Sequence, residues 1–476
     1  MRQKLFSRNF VGILGIFLFF LLTRLYPYIN NPVPTGYDAG LYLFNFKVFP
    51  HIPQWVQLGF APGLDTVLHP FFQLGLSPES IIIPLSIFSQ IILFLSFYFV
   101  ALKIFNHKAA LFVIFIFTIS PVQFRTFWYY YINNTLAMAF LLMALYFFKQ
   151  KKFVPALLFS LLIGLFHLPT LLILYLVLVL EFIFHKNQRL FYLGMLSLLS
   201  LGMLICYLPQ FKQTIQPFFY PLVRSALPMR VITGAIAKQP VPYGGAFYNL
   251  STFILVSILY IPLVIYGLRA VRAHDKIRLV RPFFVGLSVV LVLVLSKFSF
   301  HQRFLIYLDM FMVFFGGLGL YYLYELFQKK KNIIDLLNFY LVILVVFIIG
   351  FIYKTSTPLI NKSLFEEIKY FSQSTRAAPV GYILSLSPED PAWLMGYTHH
   401  RVIARNYGEF DRYWTSDQWV AFFSDILLDE KIRLLKLLPQ PLYIFVNDEY
   451  AFIFEDLRDS PCIKSTTLHF LKVECG

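Results

Sequence analysis

Apolar runs close to 20 residues long recur along most of this 476-residue chain, and no other feature limits its fold so severely. A run of that length is what an α-helix needs to cross the hydrocarbon core of a bilayer. Eleven segments are predicted, near residues 8–27, 81–103, 109–126, 131–148, 153–167, 169–185, 190–208, 250–268, 282–299, 303–325 and 333–353. Backbone polar groups must pair internally in lipid, so such a chain spans as helices. The first run follows Arg2, Lys4 and Arg8 as a signal peptide would. No small-residue cleavage site comes after it, so it is read as a retained anchor. Only 13% of the residues are charged, about half the share in a soluble globular protein, which excludes an ordinary cytosolic enzyme.

The net charge of +16 hints at nucleic acid, but its distribution points elsewhere. Residues 1–354 hold 28 Lys and Arg against 8 Asp and Glu, whereas residues 355–476 hold 12 against 16. The basic residues gather in short loops: Lys103 with Lys108, Lys149 to Lys152, Lys186 with Arg189, Arg269 to Arg281, and Lys329 to Lys331. All of these fall on one side if the N-terminus is cytoplasmic, which is the positive-inside bias of membrane proteins. The opposite side then receives the long loops 28–80 and 209–249 and the C-terminal part.

Basic loops flank residues 153–185 at both ends, which requires a hairpin there. His167-Leu-Pro-Thr170 is its natural break, because Pro169 lacks an N–H and disfavours helix at Leu168. Arms of about 15 residues reach only ~23 Å, so the turn is expected inside the outer half of the bilayer, with His167 near the floor of a polar cavity.

Composition changes near Thr355. Two domains are expected: a multi-span domain over 1–354 and a soluble α/β domain over 355–476. Val380–Leu386, Arg401–Ala404 and Leu442–Val446 read as strands. Thr415 and Gln418 form a capping box before an amphipathic helix through Leu438. Cys462 and Cys475 are candidates for a hairpin disulfide in an oxidising compartment. The fold class is thus an α-helical polytopic membrane protein of about eleven spans with a C-terminal α/β domain.

Ionisable groups at membrane depth are costly and mark function by default. Asp38 stands in Pro34-Thr-Gly-Tyr-Asp-Ala-Gly-Leu-Tyr42, where Gly36 and Gly40 permit a tight backbone around the carboxylate. It serves either as a reactive acid or as the cap of a helix beginning at Ala39. Asp65, near His69, and Glu79, which opens the second span, are possible second acids. Glu181 reads as a structural pair or a snorkelling position near the inner end of its helix. Asp309 suits structural pairing with a cation as well as chemistry. Cations gather on the outer face: Arg125 beside Asn133 and Asn134, and the cluster Lys297, His301 and Arg303. Positive charge there runs against the orientation bias and calls for a partner, either a lipid-linked phosphate or ordinary headgroups. No phosphate-binding glycine loop, nucleophile elbow or metal-ligand spacing occurs.

Three elements taken together resemble the GT-C superfamily of integral-membrane glycosyltransferases. These are Tyr37-Asp-Ala-Gly40 after the first span, Ser120-Pro-x-x-x-Arg125 leading into Asn133-Asn-Thr135, and Arg303-Phe-Leu-x-Tyr-x-Asp309 opening a late span that continues to Gly316-Gly-Leu-Gly319. The resemblance covers about residues 8–353. It implies transfer of a sugar from a polyprenyl-phosphate donor to an acceptor hydroxyl on a glycan, lipid or protein. Transfer would occur on the outer face of the plasma membrane and invert the anomeric carbon. Asp38 matches the family's first-loop acid and would act as general base. Arg303, with Arg125, Lys297 and His301, would hold the donor phosphate. Tyr37, His69, Asn133 and His167 would line the cavity, and Tyr37, Trp55 and Trp128 would offer aromatic faces to sugar. Asp38 has no adjacent second acid, so no obligatory metal or other cofactor is expected. The Trp-Trp-Asp signature of the oligosaccharyltransferase subgroup is absent from the tail. The alternative is a transporter or flippase for a lipid-linked or small polar solute, although no duplicated halves are found.

Overall fold

The computed structural model describes residues 2–29, 32–36, 38–51, 61–208, 247–273, 277–298, 301–386, 390–404, 407–408, 413–424, 427–447, 455–458 and 460–475. The chain divides into two compact units. The first comprises Met1–Ile29, Leu58–Val67 and Ile83–Thr357; the second comprises Asn30–Gln57, Leu68–Ile82 and Pro358–Gly476. The helices up to Thr355 are α1 (Arg2–Ile29), α2 (Asp38–Val48), α3 (Gly63–Gln73), α4 (Pro78–Ile104), α5 (His107–Ile119), α6 (Pro121–Trp128), α7 (Ile132–Lys149), α8 (Phe153–Phe166), α9 (Leu168–Phe184), α10 (Arg189–Tyr207), α11 (Leu250–Ser257), α12 (Ile261–Ala273), α13 (Ile277–Leu295), α14 (His301–Phe327) and α15 (Lys331–Thr355).

Among the described residues, seven of these are long and apolar enough to cross a membrane alone: α1, α4, α7, α10, α13, α14 and α15. Two predicted continuous spans are instead broken, α5 from α6 by 57° and α11 from α12 by 79°. Hydrophobicity runs on through each break, but the backbone cannot. Ser120 leaves helical geometry and its Oγ accepts from the Gln123 N–H at 3.1 Å, with Pro121 in the first turn of α6. Pro262 stands likewise in the first turn of α12, where its missing N–H is harmless.

Helix α14 is the axis of the first unit. In its most apolar window 94% of residues are buried, against 17% in α15, so α14 packs on protein all round while α15 faces outward. Close packing around it depends on small residues. A Cβ on Gly319 would meet the Leu263 carbonyl oxygen at 1.9 Å, and one on Gly267 would meet that of Phe315 at 2.0 Å. Helices α12 and α14 therefore touch backbone to backbone, the usual solution where lipid supplies no hydrophobic drive.

The predicted hairpin at His167 is present. Helix α10 runs alongside α8, with Gly202 against Leu161 and the Tyr207 hydroxyl donating to the Gly164 carbonyl at 2.8 Å. It runs against α9, with Tyr175 bonded to Ser200 and Tyr192 to Glu181. Helices α8 and α9 are thus antiparallel, and His167 caps both. Glu181 is a structural pair, 2.7 Å from His185 and 3.6 Å from Arg281.

The second unit holds α2 and, in the tail, α16 (Lys362–Ser374), α17 (Pro391–Tyr397), α18 (Ser416–Phe423), α19 (Leu428–Lys436) and α20 (Glu455–Arg458). A six-stranded mixed sheet runs β3-β2-β1-β4-β6-β5, from β1 (Tyr382–Ser385), β2 (Arg401–Ala404), β3 (Tyr407–Gly408), β4 (Leu442–Phe445), β5 (Ile463–Ser465) and β6 (Phe470–Val473). Strand β1 pairs in parallel with both β2 and β4, and the other pairings are antiparallel. Helix α16 buries Leu364, Phe365, Ile368 and Phe371 on one face, and Phe371 stacks on Phe470 at 3.8 Å. The Thr415–Gln418 capping box forms as expected. The helix after it stops at Phe423, where the Ser424 hydroxyl turns back to the Ala421 carbonyl, and a second helix carries the pattern onward to Lys436. Cys462 and Cys475 are free thiols.

Candidate active site

Helix α6 ends in the run Tyr129-Tyr-Tyr131. Tyr130 takes a left-handed φ of 62°, unusual for a bulky residue, and is buried with its hydroxyl 2.7 Å from that of Tyr28. This kink sets the rings of Tyr129 and Tyr131 in a stack, 5.6 Å apart and 19° from parallel. Phe247 packs on both rings. The Arg125 guanidinium lies 4.4 Å from the Tyr129 ring and 5.6 Å from that of Tyr248, and it donates to the Tyr129 hydroxyl. The Arg303 guanidinium lies 5.4 Å from the Tyr131 ring. Two arginines 178 positions apart in sequence thus share one aromatic stack. Among the described residues Arg125 makes no ion pair, and its Nε is buried without a hydrogen-bond partner.

Arg303 and Tyr307 stand four residues apart on α14 and so share a face. The Tyr307 hydroxyl is 2.9 Å from His167 Nδ1 and 2.6 Å from the Thr170 hydroxyl. His167 Nδ1 is also 2.8 Å from the Thr170 hydroxyl, closing a three-membered polar cluster at the hairpin turn. Asn133, half-buried, is in the first turn of α7, directly after the tyrosine run.

Asp309 has a different task. It is fully buried, and its Oδ2 accepts from the Ser120 hydroxyl and from Gln123 Nε2, each at 2.8 Å. Its Oδ1 accepts from the Tyr260 hydroxyl. These neutral donors take the place of the expected cation. The sequence reading missed this network, together with the tyrosine stack and Thr170. It also missed Arg24, a buried guanidinium between the rings of Phe20, Phe124 and Phe127 at 5.1–5.7 Å.

The remaining candidates are scattered. Lys297 is exposed in a turn after α13, with φ 50°, and His301 is the first residue of α14. Asp65 is buried in the first turn of α3 within the first unit, and its Oδ1 has no partner among the described residues. Burial pushes its carboxyl up to about 7. His69, in the second unit, bonds Gln73 at 2.9 Å and packs edge-on to Phe49. Glu79, also there, is paired with Lys47 at 3.2 Å. Trp128 offers no face to sugar: it is buried and stacked on Phe124. Tyr37 and Trp55 lie outside the described residues.

Asp38 is half-buried and is the first residue of α2, in the second unit. The glycine beside it answers to packing. A Cβ on Gly40 would fall 1.9 Å from the Ala392 carbonyl oxygen, and one on Gly396 would fall 2.4 Å from that of Gly40. Gly40 thus lets α2 cross α17 rather than shaping a turn around the carboxylate. Among the described residues no group of three or more His, Cys, Asp or Glu gathers into a metal-binding set.

No protein-family model and no curated protein matches this sequence. Solved structures do. The Archaeoglobus fulgidus oligosaccharyltransferase in its apo form is 12% identical at a TM-score of 0.60, over 93% of this chain and 70% of that one. The same organism's oligosaccharyltransferase AglB, in complex with an inhibitory peptide and a dolichol-phosphate, is 13% identical at 0.55, over 92% and 70%. ArnT from Cupriavidus metallidurans bound to undecaprenyl phosphate is 13% identical at 0.59, over 97% of both chains. The likeness extends through nearly the whole chain and is shared by the oligosaccharyltransferase and ArnT structures. The protein is therefore a multi-pass helical membrane protein with the fold of these solved structures.

Proposed function

We infer that the protein is a glycosyltransferase that moves a sugar from a polyprenyl-phosphate donor to an acceptor hydroxyl at the outer face of the membrane. The observation that carries this reading is the aromatic stack bearing Arg125 and Arg303. Tyrosine rings hold a guanidinium in place without cancelling its charge, and the buried Arg125 Nε, which has no partner among the described residues, is a donor awaiting an acceptor. Phosphate oxygens are suited to it, because Arg meets them through a planar fork. Solved counterparts of the same fold hold dolichol-phosphate and undecaprenyl phosphate, which supports a lipid-linked donor.

The chemistry is a single inverting displacement. The acceptor oxygen attacks the anomeric carbon while the bond from that carbon to the phosphate oxygen breaks. The electron pair leaves with the phosphate, and the acceptor proton passes to Asp38. A carboxylate suits that role when it reaches the attacking hydroxyl. Charge grows on the leaving phosphate, and preorganised arginines stabilise it there. Tyr307, held by His167 and Thr170 one turn beyond Arg303, orients the donor head. The reaction needs no divalent ion, and the N-terminus is cytoplasmic, as the basic loops require.

The test is release of polyprenyl phosphate from defined polyprenyl-phosphate sugars by the purified protein in nanodiscs, with and without EDTA. Wild type turns over in both conditions. Asp38→Asn binds donor without turning it over, and Arg303→Ala loses turnover and weakens donor binding. Equal turnover in wild type and Asp38→Asn overturns the assignment of the base.

A further inference from the structure

Wholly inside the second unit is a cavity of about 480 Å³ that the catalytic reading does not use. That volume falls in the range that holds a small-molecule ligand. One wall is α2, which contributes Phe44 and Lys47; Glu79 faces them, and Met395, Tyr397, His399 and Arg401 are among the other lining residues. Lys47 Nζ donates to Glu79 Oε1 at 3.2 Å and to the Gly396 carbonyl at 2.7 Å.

The two adjacent histidines differ in role. His400 Nδ1 accepts from the Gly381 N–H and its Nε2 faces the Thr375 hydroxyl, each at 2.9 Å. Burial, with His399 beside it, lowers His400 to about 4, so it is a neutral structural imidazole. His399 packs on it at 4.0 Å, and its own Nε2 is buried without a partner among the described residues. Burial and the Glu79 charge raise the Tyr397 phenol well above its ordinary value, which keeps it a proton donor.

The cavity therefore offers donors on Lys47, Tyr397, His399 and Arg401 and an acceptor on Glu79, against the apolar surfaces of Phe44 and Met395. An apolar ligand would strip water from those polar groups and return nothing. A simple anion would find Lys47 already neutralised by Glu79 and the Arg401 guanidinium lying over the Tyr382 ring and donating to its hydroxyl. Vicinal hydroxyls on a ring answer both demands, since each donates and accepts while the C–H face covers apolar surface. We propose that this cavity binds a saccharide. Lys47 lies nine residues beyond Asp38 on α2, roughly 14 Å along the helix, so the bound saccharide extends along the helix that begins at Asp38. Naming it the acceptor rests on the glycosyl-transfer reading; the binding itself does not.

The test is calorimetric titration of the full-length protein in nanodiscs with a neutral hexose trisaccharide, an N-acetylhexosamine trisaccharide, a uronic-acid trisaccharide and inorganic phosphate. At least one saccharide binds wild type. Glu79→Gln and His399→Ala each weaken it at least about ten-fold, the loss expected when a charged or buried hydrogen bond goes unmet. His399→Gln, which keeps a donor, recovers part of the affinity, and unchanged melting curves show that the variants are folded. Asp38→Asn binds saccharide yet does not transfer to it. The inference falls if no saccharide binds, if both variants bind as wild type does, or if phosphate competes for the site. Saccharide binding without any transfer would sink the transferase reading and leave this site standing. Transfer that is indifferent to Glu79 and His399 would do the reverse.

Discussion

Asp309 accepts a hydrogen bond at 2.8 Å from Ser120, the residue that caps the helix bearing Arg125. The carboxylate on α14 thereby fixes the point where the third span breaks, and with it the direction in which Arg125 leaves. Gln123 and Tyr260 complete its shell. A buried acid that the sequence leaves open between pairing with a cation and chemistry is in this structure a positioning residue.

Asp309→Ala strands three buried donors at once, so it lowers stability by about 2–4 kcal/mol. Thermal melts in a single detergent check this. Asp309→Asn keeps an acceptor for Ser120 or Tyr260 and recovers part of the loss. In folded samples at low temperature, the alanine variant lowers kcat more than it raises the donor KM, because the arginine is misplaced rather than removed.

How legible this arrangement is in the sequence depends on the range of its cause. The His167 hairpin is readable because Pro169 and the flanking basic loops act locally. The breaks at Ser120 and near Pro262 are hidden, since hydropathy continues across them. Gly40 reads as a flexible turn residue, but its constraint is the carbonyl of Ala392, 352 positions away. The arginines at 125 and 303 are conspicuous as misplaced charges. Their joining through Tyr129 and Tyr131 depends on one left-handed residue, Tyr130, which no periodicity signals.

Because Arg125 and Arg303 share one stack, their substitutions are not additive. Arg303→Ala lowers kcat/KM for the donor by about 10²–10³-fold, as expected for a lost donor to a leaving group. Arg125→Lys keeps the charge but loses the planar face on Tyr129, so it retains only part of the activity. The double-mutant cycle between the two positions shows a coupling of about 1 kcal/mol. Additive losses would mean that the stack does not join them.

The pH dependence of stability carries a signature of Asp65. Its folded-state value is raised from 3.8 to about 7 by burial, so the native state holds a proton that the unfolded chain gives up. The stability tied to that proton is fully present below about pH 4 and is lost as pH rises towards 7, on the order of 4 kcal/mol in all. Asp65→Asn removes the titration, so its melting temperature exceeds that of wild type at pH 8 and the difference vanishes near pH 4. Parallel curves for the two proteins over that window would show that Asp65 is ionised in the folded state.

Gly40→Ala tests whether the placement of α2 matters to the chemistry. The added methyl would stand 1.9 Å from a backbone oxygen of α17, far inside contact distance, and no side chain can rotate away to relieve it. The two helices must separate, which costs about 1–3 kcal/mol and moves the start of α2, where Asp38 is the first residue. A shift of about 1 Å in a general base is enough to lower the rate roughly 10²-fold. Gly40→Ala is therefore expected to fold with reduced stability, to bind donor normally and to turn it over slowly. Donor affinity and single-turnover rates, measured side by side with Asp38→Asn, decide the matter. A Gly40→Ala protein that turns over at the wild-type rate would show that the α2–α17 crossing serves folding alone.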